Sequence, residues 1–158
     1  MVDTIGELSD LASKLNQQSD RLNSIISTTN AKLDKLKIGV EVWLKANPVV
    51  AENYHDEYDD EGRRIDRYRK VTLLGFAKVD DQWQLAVKQA TFQTETDASG
   101  IEYEETVNPT QPQSLLKAGR EIRSESMRLI PKLLDALKSK ADRLLKNIEA
   151  AEKAAEKL

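Results

Sequence analysis

Between residues 4 and 37, Leu8, Leu11, Leu15, Leu22, Ile25, Leu33 and Leu36 recur at steps of three and four, with Gln18 and Thr29 filling the same row. That spacing puts them on one face of a helix. Thr4 and Glu7 stand at capping-box spacing, where each side chain satisfies the other residue's backbone N–H. Lys32, Lys35 and Lys37 suit the negative end of the helix dipole, and Gly39 can close the helix in the left-handed conformation. The two steps of four from Ile25 to Leu33 form a stutter, which locally unwinds a left-handed supercoil.

A second row runs through residues 112–158: Leu115, Gly119, Ile122, Ser126, Leu129 or Ile130, Leu133, Leu137, Ala141, Leu144, Ile148, Ala151, Ala155 and Leu158. Thr110 and Gln113 repeat the capping-box spacing at its start. Pro131 removes one helical hydrogen bond at a cost of ~3 kcal/mol, yet the row passes through it in phase, so a kink near Pro131 is expected rather than a break. At about 1.5 Å per residue the two helices reach about 50 Å and about 70 Å. An antiparallel helix pair is the expected arrangement. Its rows are longer than two helices can conceal, so the sheet or a second copy of the chain must cover the remainder.

Between the helices the period falls to two. Val40, Val42 and Leu44 alternate against Glu41, Trp43 and Lys45, as in a half-buried strand. Residues 71–92 divide at Asp80-Asp81, and a two-residue turn there sets Leu74 opposite Val87, Phe76 opposite Leu85 and Lys78 opposite Trp83. A three-residue loop would instead match Gly75 with Val87 and Ala77 with Leu85 and bury less apolar surface, so the first register is preferred. Residues 94–107, acidic and rich in Thr, extend the meander through a turn at Asp97 to Gly100. Residues 47–67 read as a polar loop, and the connection over residues 49–70 is either mobile or a charged hairpin about Glu61-Gly62. The prediction is an α+β fold in one elongated domain: helix 4–37, a three- to four-stranded antiparallel meander over residues 38–108, and helix 112–158.

The composition agrees with an elongated shape. Only 39% of the 158 residues are apolar and 5% aromatic, while 32% are charged. The net charge of −3 is unevenly spread: residues 71–112 carry seven acids and two bases, residues 113–158 seven acids and eleven bases. The ends of the molecule are thereby suited to attract each other or different partners. No apolar run approaches the ~20 residues needed to span a bilayer, and the first residues do not form a signal peptide. A soluble, cytoplasmic protein with no membrane partner is expected.

Candidate chemistry is sparse. There is no Cys, which excludes disulfides and thiolate catalysis, and His55 is the single histidine. The stretch HDEYDDEG places carboxylates two apart, but aligning Gly62 with a calcium-loop glycine puts Tyr68 where the closing carboxylate belongs. Ser114 and Lys117 form an S-x-x-K pair without its companion motifs, so Ser114 reads as a helix-start residue, and no phosphate-cradling glycine loop is present. No catalytic residue, metal ligand or cofactor is expected. Arg63, Arg64, Arg67, Arg69 and Lys70 surround Tyr68 in a pattern able to grip a nucleic-acid backbone, although acidic residues just upstream oppose it. Lys117, Arg120, Arg123, Arg128 and Lys132 form a second basic face. The small residues Gly75, Ala77, Ala86 and Ala90, with Trp43, form a candidate partner-binding face, whereas Trp83 is expected in the core. The reading that follows is a non-enzymatic interaction or scaffold protein, a homo-oligomer or one bound to a protein partner, with nucleic-acid association as the alternative.

Overall fold

A computed structural model describes residues 3–96 and 99–158. Helix α1 covers Thr4–Leu36 and helix α2 Arg120–Glu156, with an antiparallel sheet between them in the chain. Asp3, not Thr4, caps α1: its Oδ1 accepts from the Gly6 N–H at 3.0 Å. At the far end Lys37 takes the left-handed conformation that terminates the helix, and Gly39 follows with φ of 61°.

Among the described residues the sheet has seven strands rather than three or four. Its centre is a long hairpin, β4 (Arg64–Val79) and β5 (Gln82–Thr96). Along the outer edge of β4 lie β1 (Val42–Trp43), β2 (Val50–Ala51) and β3 (His55–Tyr58); along β5 lie β6 (Glu102–Val107) and β7 (Gln113–Ser114). The edges are segmented where proline removes a ladder donor: Pro48 falls between β1 and β2, and Pro109 and Pro112 between β6 and β7. Residues 47–67 are therefore not a loop. Val49 and Glu52 donate to the Thr72 and Lys70 carbonyls, and β3 forms the charged hairpin with β4 about Glu61-Gly62. Strand β6 continues the meander beside β5, and the turn expected at Asp97 to Gly100 lies partly on residues 97 and 98, outside the described residues.

The two-residue register at Asp80-Asp81 is the observed one, with Leu74 opposite Val87, Phe76 opposite Leu85 and Lys78 opposite Trp83. Both turn residues have positive φ, 49° and 63°, as a type I′ turn requires. Holding an aspartate there is unfavourable, so Asp81→Gly should raise the unfolding free energy by about 1 kcal/mol. A denaturant midpoint unchanged or lowered by this substitution would show that the turn is not strained.

Leu74, Phe76, Leu85 and Val87 form the helix-facing side of the sheet, joined in one core by Ile26 and Leu33 of α1, Leu115, and Ile130, Leu133 and Leu137 of α2. Trp83 borders it, stacked on Phe76 with ring centroids 5.6 Å apart. The side of α1 that meets the sheet matches the expected row only in part, at Leu22 and Leu33. Ile26 is buried while Ile25, Leu8, Leu11, Leu15 and Leu36 are exposed. Ile26 rather than Ile25 points into the core, while Leu8, Leu11 and Leu15 precede the part of α1 that meets the sheet.

Two further expectations are corrected. The helices are not antiparallel: residue numbers rise together along their contact, from Arg120 donating to Asn16, through Arg123 donating to Asn23, to Leu33 and Leu137 in one cluster. Before α2 begins, the chain returns along β7 beside β5, and Lys117 pairs with Asp80 at 3.6 Å. Nor does the second helix start at residue 112. Gln113 and Ser114 pair with Val87 and Ala86, and Leu115–Lys117 makes one 3₁₀ turn. Pro112 disfavours a helical Gln111 and lacks a donor of its own, while the Ser114 hydroxyl accepts from Leu116 N and so caps the short turn. Helix α2 then runs through Pro131 to Glu156.

Candidate functional site

On the side of the sheet away from the helices, Gly75 stands directly across from Trp43. The indole fills the space a side chain at residue 75 would need: a Cβ there would lie 2.5 Å from the Val42 carbonyl oxygen and 2.6 Å from Trp43 Cδ2. Trp43 is fixed by donating from Nε1 to Glu41 at 3.0 Å, and the Lys88 ammonium sits 4.2 Å from the centre of its ring. Partial burial lowers the pKa of Lys88 below that of an ordinary lysine, with Glu41 opposing the shift. Ala77, Ala86 and Ala90 are nearly free of solvent, as are Val71, Leu73 and Phe92. The small-residue face is thus roofed by Trp43 and by long side chains, among them Arg69 over the Phe92 ring. A partner reaching Gly75 or Ala86 would first have to displace Trp43.

The arginine run lies on the β3–β4 hairpin, where antiparallel pairing places acids beside it. Arg63 binds Asp59 and Glu61, Arg64 reaches Glu102, and Arg67 meets Asp56 at 3.1 Å. Arg67 and Arg69 stack on Tyr54, at 4.2 and 4.6 Å from its ring centre, while Lys70 is exposed. Much of the positive charge is therefore matched within the chain, and Tyr68, the ring expected to be free for a base, is stacked on His55. The basic face near α2 is similarly engaged: Lys117 with Asp80, Arg120 and Arg123 with the two asparagines of α1, and Arg128 with Glu125, leaving Lys132 exposed.

His55 is exposed and stacked on Tyr68, 5.4 Å between centroids, and the carboxylate of Asp59 is occupied by the backbone N–H groups of Glu61 and Arg63. Among the described residues no group of three or more His, Cys, Asp or Glu is placed to hold a metal ion. No helix among them is long and apolar enough to cross a membrane.

The largest unsatisfied feature is apolar and lies at the helix ends. Burial in α1 begins near Leu22, so residues 4–15 project beyond the sheet with Leu8, Leu11 and Leu15 at 57%, 53% and 55% exposure, and Ile5 more exposed still. Burial in α2 stops at Leu137, and Leu144, Leu145 and Ile148 are exposed beyond it. Between the end of α1 and the continuing α2 lies an open groove of about 730 Å³, whose apolar lining is Leu33, Leu36, Ile38, Leu134, Leu137, Ala141 and Leu145. The helical period made these rows legible in the sequence, but the parallel sense of the helices, which sends the two free ends to opposite ends of the molecule, had no local signal.

The chain matches no protein-family model, and no curated protein or solved structure resembles it closely enough to count as a match.

Proposed function

We propose that this protein is a non-enzymatic interaction module that self-associates through the free ends of its two helices. The observation that carries the reading is the pair of leucine-rich helix faces left uncovered beyond the sheet, since exposed apolar patches of this kind mark interaction surfaces in water-exposed proteins. The sheet supplies the rigid centre that fixes where each helix points. Pro131 fits the same reading as a bend by which α2 leaves the sheet: it cannot donate to the Met127 carbonyl, and burial ends six residues later. Nucleic-acid association through the arginine hairpin draws less support, because those guanidinium groups are already paired or stacked. Sedimentation velocity across the micromolar range should show a mass that rises with concentration. A monomer at every concentration would sink the proposal.

A further inference from the structure

We infer that the protein binds a free α-amino acid with an apolar side chain, in the hollow where the turn of the central hairpin faces the end of α1; the inference is independent of self-association. The cavity there measures about 260 Å³. Sites for drug-sized molecules start near about 300 Å³, so this one suits a molecule of roughly ten non-hydrogen atoms. Its floor is apolar: Leu33 from α1, Ile38 just beyond the helix, and Phe76 and Trp83 from the hairpin. Trp83 is half-buried, and stacking on Phe76 holds its ring in place. A ring already fixed at the cavity wall gives a flat apolar surface with little ordering left to do on binding.

Two acids and two bases border the same cavity, and they are not in the same condition. Asp34 and Lys37 pair with each other at 3.6 Å, one helical turn apart. Asp81 and Lys78 have no ion-pair partner among the described residues, although the neighbouring Asp80 pairs with Lys117. The hairpin keeps them apart: Lys78 is set opposite Trp83 in the strand register, while Asp81 is held in the turn with φ of 63°. An unpaired acid and an unpaired base at the edge of one apolar hollow match a molecule that carries an ammonium and a carboxylate on the same carbon. A ligand with a single charge would leave one of the two uncompensated. The Asp81 carboxylate takes the ammonium, Lys78 takes the carboxylate, and the side chain lies on Trp83 against Leu33 and Ile38. Both ion pairs are open to water, which puts the dissociation constant on the order of 0.1–1 mM.

The test is a titration of the isotope-labelled full chain with leucine, followed by NMR. Saturable shifts are expected at the Gly39 and Gln82 amides and at the Trp83 indole N–H, all of which border the cavity. N-acetylleucine lacks the ammonium, leucinamide lacks the carboxylate and glycine lacks the side chain; each should bind at least about threefold more weakly than leucine. Asp81→Asn and Lys78→Met should each weaken leucine by a similar factor. Both residues are exposed, and asparagine tolerates the positive φ of the turn, so folding should survive, and circular dichroism checks it. No saturable shift up to about 20 mM leucine, or saturation only at residues away from the cavity, would overturn the site. N-acetylleucine or leucinamide binding as tightly as leucine would overturn the zwitterion, and glycine doing so would overturn the apolar floor. Unchanged affinity in either variant would overturn the role given to that charge.

Discussion

Gly75→Ala is expected to lower the unfolding free energy by about 3 kcal/mol, a large loss for the addition of one methyl group. In an ordinary strand the same change is mildly favourable, because alanine has less conformational freedom to lose. Here the added Cβ would meet the Trp43 ring and, at 2.5 Å, the backbone oxygen of Val42. The ring can swing only by abandoning its bond to Glu41 and its place over Lys88, and the carbonyl can move only with the edge strand itself. Chemical denaturation measures the loss. Combining Gly75→Ala with Trp43→Ala should cost less than the sum of the two single changes, since the ring is then gone, but the Val42 oxygen keeps the recovery partial. Simple additivity would show that ring and glycine are not coupled, and a neutral Gly75→Ala would show that the sheet yields there.

The second large effect is expected at Asn30. Its Oδ1 accepts the Leu85 backbone N–H at 2.8 Å, so a helix side chain takes the place of a strand. The cause lies in the edge of the sheet: β7 pairs only with Ala86 and Val87, and the next donor along β5 would otherwise have no neighbour. Leu85 is fully buried, so losing that acceptor strands a donor away from water. Asn30→Leu should cost about 2 kcal/mol, despite the added apolar surface. Amide hydrogen exchange gives the local readout: the Leu85 N–H should exchange much faster in the variant, while amides paired between β4 and β5 stay protected. Unchanged protection at Leu85 would mean that water or a backbone shift replaces the asparagine at no cost.

Legibility in the sequence followed the range of the physical signal. The central register could be read because slipping it by one residue turns Leu74, Phe76, Leu85 and Val87 off the core face, and one turn decides it. The rows on both helices could be read because side-chain period is local. Asn30 was hidden: an asparagine within a helix has no distinctive pattern, and the carbonyl it replaces belongs to a strand that stops more than eighty residues later. Gly75 was visible as a glycine inside a bulky strand, a hint of close approach, but the identity of the residue above it depended on pairing across the edge. Parallel helices escaped the reading for a related reason. Their direction depends on the path that leads to α2 through β7 and the 3₁₀ turn, a stretch that reads locally as the start of the helix at Pro112.

Trp43 and Trp83 stand on opposite faces of one sheet, the first against Gly75 and Lys88, the second against Phe76 beside the helices. The protein thereby carries two optical reporters separated by a single layer of backbone. With Trp83 replaced by Phe, emission comes only from the roofed small-residue side; with Trp43 replaced, only from the helix side. Loosening of the edge strand and detachment of the helices, which one averaged signal would merge, become separate observables.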